Sequence, residues 1–329
     1  MKKSLFRPAR TGLAMALLAG VAATSHAQSS VQLYGLMDAS AGRFQAAGAA
    51  SSNAVSSGNM TTSYIGFKGT EDLGGGLSAK FAAEHFMRLD TGEAGRFNGD
   101  AFWARNAYVG LTSTSLGSVT LGRNTTSMFV STLLFNAFGD SFGFSPSIRH
   151  WFTAGTLTGD SGWSDSVSYT TPSMSGLTGQ LQVAGGEGNG GRNVGGNVLY
   201  FSGKFAATLA AQNVKKGATV ADTTAWQLGA SYDLGWAKLF GQGGQVDNKT
   251  TDVTYKLVEA GVSVPMGAGK WMAQGGYLKP ETGKKRATLS LGYSHNLSKR
   301  TELYSVYMFD KAAALTNGNT YAVGVRHKF

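Results

Sequence analysis

Residues 224–234 read Thr-Ala-Trp-Gln-Leu-Gly-Ala-Ser-Tyr-Asp-Leu, an alternation of large apolar side chains with small or polar ones. Because successive side chains of a β-strand point to opposite faces, Trp226 and Leu228 share one face, and Gln227 and Ser231 share the other. The stretch therefore predicts a β-strand with one apolar and one polar face.

The same unit, about ten alternating residues followed by a turn rich in Gly, Asn, Asp and Ser, recurs along the chain. It predicts strands at 31–44, 61–71, 76–88, 101–112, 117–124, 165–173, 177–186, 195–203, 204–214, 224–234, 236–246, 253–264, 270–279, 286–296, 301–310 and 319–329. An even number of strands suits an antiparallel sheet that closes on itself, and a closed ladder leaves no unpaired edge.

A soluble β-sandwich shows the same alternation, so the composition of the two faces has to decide between water and lipid. The polar faces are too rich in Ser, Thr, Gln and Gly for a packed interior, and aromatic residues recur near strand ends, where rings sit at lipid headgroups. Connections are either short, such as residues 72–75, or long, such as residues 45–60. These features predict an all-β, 16-stranded antiparallel transmembrane β-barrel around water.

The first residues have a different character. Four basic residues within the first ten precede an apolar run at residues 13–23, and Ala27 closes a small-residue cleavage site. This order is typical of a secretory signal peptide, and the run is shorter than the about 20 residues that cross a bilayer. We expect residues 1–27 to be removed and residues 28–329 to form one barrel.

Removal of those four basic residues lowers the formal charge from +10 to +6. The remaining basic residues are scattered singly, which argues against nucleic acid as a partner. The chain has no cysteine, so disulfides and thiol chemistry are excluded.

Other motifs give no chemistry. Residues 186–191 match the glycine spacing of a dinucleotide-binding loop, but no strand–helix unit surrounds them. The five histidines are far apart, which predicts no metal site. Ser294 and His295 are adjacent on a strand and face opposite ways, so they cannot form a nucleophile–base pair. We expect no catalytic residue, no metal and no cofactor.

One long segment, residues 125–164, breaks the alternation and is rich in aromatic residues such as Phe135, Phe138, Phe142 and Trp151. An irregular segment of this length inside a compact protein is usually functional. Beside a wide barrel, an apolar segment can pack inside and narrow the channel. An external loop folded over the rim is the alternative that the sequence leaves open.

Several stretches match a known family. Residues 31–35 (Val-Gln-Leu-Tyr-Gly) look like its first strand, and residues 65–77 (Ile-Gly-Phe-Lys-Gly-Thr-Glu-Asp-Leu-Gly-Gly-Gly-Leu) resemble its second strand and first tight turn. Further similar stretches are 107–111, 116–123, 297–301 and the C-terminal 326–329. On these residues the chain resembles the general trimeric porins of Gram-negative outer membranes, most closely the beta-proteobacterial subgroup.

The resemblance implies a homotrimer of 16-stranded barrels in the cell outer membrane, each narrowed by an inward-folded third external loop. It implies outer-membrane lipid and lipopolysaccharide as surroundings and small hydrophilic solutes as cargo. It also implies that the barrel-assembly machinery reads the terminal Phe329. No reaction is implied.

In this family, charged residues of the barrel wall face acidic residues of the third loop. Arg105 matches a wall arginine of the constriction, and alternation from it would place Ala107 toward the lumen and Tyr108 outward. Tyr64 stands where the family has another arginine, on the same face as Lys68.

Alternation on the third strand adds three wall candidates. It places Lys80, Glu84 and Arg88 together in water, because a basic residue facing lipid at mid-membrane costs about 2–4 kcal/mol.

The loop departs from the family, since residues 136–140 stand where a Pro-Glu-Phe-Gly signature is common and Ala137 replaces the glutamate. Asp140 and Asp160 remain as acidic loop candidates, with Arg149 between them.

These departures predict a weaker transverse field than in the family, with a modest anion preference from Arg105, Lys68, Lys80 and Arg88. Two alternatives stay open. One is a channel of the same fold with a preferred solute, and the other is a non-conducting barrel that serves as an adhesin or anchor.

Overall fold

The computed structural model describes residues 30–157, 161–188, 191–215 and 220–329. The predicted signal peptide, residues 1–27, and the loop candidate Asp160 lie outside the described residues.

The strands are β1 (Ser30–Phe44), β2 (Ser52–Ser57), β3 (Tyr64–Gly74), β4 (Leu77–Phe86), β5 (Ala107–Ser113), β6 (Gly117–Thr125), β7 (Gly162–Thr170), β8 (Leu177–Ala184), β9 (Asn193–Ser202), β10 (Phe205–Val214), β11 (Thr223–Asp233), β12 (Lys238–Asn248), β13 (Val253–Met266), β14 (Gly269–Pro280), β15 (Arg286–Asn296), β16 (Thr301–Ala312) and β17 (Gly318–Lys328). Two helices, α1 (Ser127–Leu134) and α2 (Pro146–Phe152), lie between β6 and β7. Each predicted strand corresponds to a strand of the structure.

The sheet closes because β1 pairs with β17, from Leu36 opposite Lys328 to Arg43 opposite Tyr321. On its other side, β1 pairs first with β3 and then with β2. Since β2 and β3 share one position in the barrel, seventeen strands form a closed 16-stranded antiparallel barrel. The short strand β2 lies within the predicted long turn at 45–60. It pairs with residues 39–44 of β1, which would otherwise lack a partner on the side away from β17.

The two faces of the barrel differ as the alternation predicts. On β11, Trp226 and Leu228 are 45% and 53% exposed, whereas Gln227 between them is fully buried. Exposed apolar side chains suit contact with lipid, and the polar set forms the inner face.

Strand β5 begins at Ala107, so the prediction of a strand from residue 101 is wrong at its start. The preceding residues are committed to other contacts. The ring of Phe102 stacks on His85 with 4.0 Å between ring centroids, and the Asn106 amide Oδ1 accepts the backbone N–H of Thr125 at 3.0 Å. These side-chain contacts take the place of the backbone hydrogen bonds that a strand starting at residue 101 would need.

Helices α1 and α2 lie in the segment that sequence periodicity left without secondary structure. The hydroxyl of Thr126 caps α1 by accepting the N–H of Phe129, and the hydroxyl of Ser145 caps α2 by accepting the N–H of Ile148. Pro146 occupies the first turn of α2, where its missing N–H has no partner to lose. Neither helix has the length and apolarity that a membrane-spanning helix needs within the described ranges.

We call residues 126–157 the inter-strand segment. Its helix α1 contacts inner-face residues of β8 to β11: the hydroxyls of Ser131 and Thr208 are 2.9 Å apart, and Thr132 donates to Gln227 at 3.2 Å. On α2, the Ser147 hydroxyl accepts hydrogen bonds from Gln242 and Gln274, each at 2.6 Å. Each such buried bond contributes about 1 kcal/mol, so the segment is attached along much of its length.

An apolar cluster accompanies these hydrogen bonds. From the segment come Met128, Ile148, Trp151, Phe152 and Leu157, and from the inner face come Ala210, Ala225, Val246, Leu257 and Leu278. The inner face is therefore apolar where the segment packs on it.

Candidate functional site

The wall part of the site is organised around Glu84, a nearly fully buried carboxylate on β4. It accepts hydrogen bonds from the Tyr34 hydroxyl at 2.6 Å, from Arg105 Nη1 and from the Asn106 amide. A buried carboxylate needs such partners, because an unpaired one is costly to remove from water.

Two tyrosine rings complete this wall cluster. The guanidinium of Arg105 lies 4.0 Å from the ring centroid of Tyr64, and Lys68 Nζ lies 4.4 Å from that of Tyr34. Tyr64 thus supports the arginine through a cation–π contact. The structure brings together four of the predicted wall residues: Tyr64, Lys68, Glu84 and Arg105.

Arg105 reaches this cluster from a connection and not from a strand. Its backbone N–H donates to Glu84 O, and the N–H of Glu84 donates to Asn106 O at 2.8 Å. The phase predicted from Arg105 is wrong for the strand that follows, because Tyr108 is opposite Ala82 on the inner face, and Val109 is 60% exposed. Alternation holds only within a strand, and Arg105 precedes β5.

The other two wall candidates lie elsewhere. Arg88 follows the end of β4 and pairs with Glu93 at 2.8 Å and with Asn98 at 2.7 Å. Lys80 is on the same face of β4 as Glu84 and forms no ion pair with a described residue.

On the segment side, Asp140 accepts the hydroxyl of Thr61 at 3.0 Å. The same hydroxyl accepts Arg326 Nη1 at 2.8 Å, so it links an inner-face cation to the segment carboxylate. Sequence reasoning missed the residue that positions Thr61: Asp38, fully buried, accepts the N–H groups of Met60 and Thr61 at 2.6 and 2.8 Å. An aspartate at an inner-face position of the first strand was the available signal.

Arg149 faces a different partner from Asp140. It lies 3.7 Å from the carboxylate of Asp310, which Arg286 also holds through two hydrogen bonds. The cluster of Arg149, Arg286 and Asp310 fastens α2 to β15 and β16.

A buried polar pair joins α2 to β13. His150 Nδ1 and Glu259 Oε1 are 3.8 Å apart, and neither atom has a hydrogen-bond partner among the described residues. The other ends of both side chains are bonded, His150 Nε2 to Thr288 at 2.9 Å and Glu259 to the Trp151 indole at 3.4 Å. Burial lowers the pKa of His150 from 6.5 to about 3; Arg286 and Arg149 reinforce this effect, and Asp310 opposes it.

This shift predicts acid sensitivity. The folded protein keeps His150 neutral, whereas an unfolded chain protonates it near pH 6.5, so its contribution to stability is complete above that pH and is lost toward pH 3. The loss amounts to at most about 1.4 kcal/mol per pH unit in that window. In urea unfolding, His150→Gln, which stays neutral, should lose less stability on acidification than the unmodified protein. Equal losses would contradict the neutral, buried histidine.

Five lysines are also on the inner face, as their alternation with exposed apolar neighbours indicates. Lys238 is opposite Asp233 of β11, whereas the other four have no carboxylate opposite them in the neighbouring strands: Lys68, Lys80, Lys270 and Lys328. None is in an ion pair with any residue of the described ranges. By contrast, the inner-face carboxylates of Glu84, Glu302 and Asp310 each pair with an arginine, and those of Asp38 and Glu259 are almost fully buried. The four lysines therefore add unpaired positive charge to this face.

Phe329 lies at the seam where the barrel closes. Its backbone exchanges two hydrogen bonds with Gly35, each 3.2 Å long. A Cβ at position 35 would come within 2.5 Å of the Phe329 ring, so the close approach requires glycine. Among the described residues no group of three His, Cys, Asp or Glu side chains could hold a metal ion.

The sequence is similar to known outer-membrane proteins. Residues 14–315 match the family model described as Gram-negative porin. Over its full length the chain is 34% identical to outer membrane porin protein 32 of Delftia acidovorans, of which it covers 93%. It is 28% identical to an outer membrane porin protein of Bordetella pertussis, with 97% of this chain and 100% of that protein covered.

Solved structures agree in fold. The anion-selective porin from Comamonas acidovorans superposes with a TM-score of 0.80 at 29% identity, over 92% of this chain and 100% of that one. OmpT of Vibrio cholerae, at 14% identity, superposes with a TM-score of 0.71 over 92% of this chain and 98% of that one, which speaks for the barrel architecture alone.

Proposed function

Because the chain belongs to the Gram-negative porin family and forms an outer-membrane channel, we propose that it passes small hydrophilic solutes by passive diffusion with a modest preference for anions. The observation that carries the anion preference is the set of four inner-face lysines that have neither an ion pair nor a carboxylate opposite them in the strands. The similar Comamonas protein is itself described as anion-selective.

The lysines are a better source of this preference than the arginines expected from sequence. Arg105 is compensated by Glu84, and Arg88 by Glu93. A compensated pair adds little net field in the water of a channel, whereas an unpaired ammonium raises the local concentration of anions. Lys68 and Lys80, also expected from sequence, belong to the uncompensated set.

A reversal-potential measurement in a salt gradient tests the proposal. Replacing Lys68, Lys80, Lys270 and Lys328 by Gln should move the permeability ratio from anion preference to none or to cation preference. The matched control replaces four exposed lysines of connections: Lys204, Lys249, Lys284 and Lys299. Cation selectivity of the unmodified channel, or an equal shift in both variants, would overturn the assignment.

We propose further that the inter-strand segment folds into the barrel as its constriction. Its contacts with inner-face residues of β8 to β15, and the link from Asp140 to Thr61, support this arrangement. The pore then runs between the segment and the wall cluster of Tyr64, Glu84 and Arg105.

Assembly completes the proposal. We propose that residues 1–27 direct export as a signal peptide and that the barrel-assembly machinery recognises Phe329. The mature protein then forms a homotrimer surrounded by lipid and lipopolysaccharide. The position of Phe329 at the closing seam supports its role, because the last pairing of the barrel includes it.

A further inference from the structure

A cavity of about 250 Å³ separates the inter-strand segment from the wall around Arg105. We call it the constriction cavity. Phe129, Leu133 and Phe142 line it from the segment, together with Asp140, and Arg105 lines it from the wall. It is smaller than the about 300–1,000 Å³ typical of sites for drug-sized ligands, so it suits one small molecule. Its apolar side is not needed for hydrophilic solutes.

That apolar side is held in place by ring contacts. Phe129 stacks on Phe142 with 5.7 Å between centroids and contacts Phe152 edge-on at 5.1 Å. Because Phe152 belongs to the buried cluster that attaches the segment, the rings cannot turn away from the cavity without breaking this packing. Half-buried aromatic faces remain toward the water, where an apolar group could cover them.

Some charged groups of the cavity keep hydrogen-bonding atoms that bond no described side chain. Arg96, which also borders it, is closed off by two hydrogen bonds to Asp100 at 2.8 and 2.9 Å. Arg105 gives only Nη1 to Glu84, its side chain is 30% exposed, and its other nitrogens bond no described side chain.

Across the cavity, Asp140 accepts one hydrogen bond, from Thr61, and its second carboxylate oxygen bonds no residue in the described ranges. Arg105 and Asp140 both line the cavity. One cationic and one anionic group are therefore available beside the same apolar surface.

We propose that the constriction cavity is a binding subsite for small zwitterions with an apolar side chain, the chemical class of free phenylalanine. The solute carboxylate binds Arg105, its ammonium binds Asp140, and its side chain covers Phe129 and Phe142. A simple anion would satisfy Arg105 but leave Asp140 as a repulsive charge. The inference rests on the proposed channel function and names the solute class that this channel retains.

Ion current through the full-length protein in planar bilayers tests the subsite, with phenylalanine as the probe. Phenylalanine should reduce the current in a saturable manner, and serine, a zwitterion without an apolar side chain, should not. The analogues 3-phenylpropanoate and 2-phenylethylamine each lack one charge and should need about tenfold more solute for half block.

Variants locate the effect. Phe142→Ser, Arg105→Gln and Asp140→Asn should each raise the half-blocking concentration of phenylalanine about tenfold. In Arg105→Gln, Glu84 keeps its hydrogen bonds from Tyr34 and Asn106. The control is Leu134→Ser, since Leu134 is exposed on α1 and does not line the cavity; block should be unchanged.

The results separate this inference from the channel itself. Equal block by serine and phenylalanine, or block that Phe142→Ser leaves intact, would overturn the apolar subsite. Block by 3-phenylpropanoate as strong as that by phenylalanine would make it an anion site. An unmodified protein that conducts ions but is never blocked rejects only the subsite, whereas one that conducts no ions rejects the proposed function.

Discussion

Replacing residues 127–160 by a short Gly- and Asn-rich turn is expected to raise single-channel conductance severalfold while the barrel stays closed. The design is possible because the ends of the excised segment already meet: the N–H of Thr126 donates to Ser161 O at 3.1 Å. β6 and β7 pair as neighbouring antiparallel strands, so a tight turn can join them. We expect the rise because, in the proposed channel, the two helices contact inner-face residues of β8 to β15 and narrow the ion path.

The measurement is conductance in planar bilayers, with circular dichroism and heat-modifiable gel mobility to show that the barrel forms. The control excises part of another connection, residues 281–284 between β14 and β15, and should leave conductance unchanged. A folded excision variant with the conductance of the unmodified protein would place the segment outside the ion path.

The strands followed from the sequence because lipid and water impose one period on all of them. On β11, Trp226 points outward and is exposed, Gln227 points inward and is buried, and the same alternation of faces marks each of the sixteen predicted strands. The predicted strand start was wrong where side chains contact residues outside the strand ladder, as Phe102 and Asn106 do before β5. No local sequence pattern predicts such contacts.

The wall cluster was predicted in part. Arg105, Tyr64, Lys68 and Glu84 converge as expected, but Tyr108 faces inward because the alternation was counted from a residue outside the strand. Tyr108 is opposite Ala82 because of the register between β4 and β5. Register depends on two strands, so it cannot be predicted from the pattern of one strand.

The attachment of the inter-strand segment did leave a signal in the sequence. Ala225, Val246 and Leu257 are apolar at inner-face positions, and each has a polar inner-face residue two positions away, such as Gln227 beside Ala225. An apolar residue on a wet face requires a cover, and the segment supplies it. The polar partners, such as Asp310 for Arg149, could not be matched from sequence because many charges were available.

Asp310→Asn is expected to destabilise the barrel by about 3 kcal/mol, the cost of breaking a buried ion pair by removing one partner. The Asp310 carboxylate is fully buried and accepts Arg286 Nε at 2.7 Å, Thr288 at 3.2 Å and the N–H of Ala47 at 3.1 Å, with Arg149 at 3.7 Å. Asparagine leaves two guanidinium groups beside a neutral amide. Urea unfolding followed by circular dichroism in detergent gives the change in unfolding free energy.

Two further variants decide whether the charge is the cause. Glu187→Gln removes an exposed carboxylate and should change stability little, since exposed charges contribute about 0–1 kcal/mol. Combining Asp310→Asn with Arg286→Gln removes one of the uncompensated cations, so the double variant should be more stable than Asp310→Asn alone, with a coupling energy above about 0.5 kcal/mol. Additive losses would mean that Asp310 acts through packing and its bond to Ala47, and that the attachment of α2 through Arg149 does not depend on the charge.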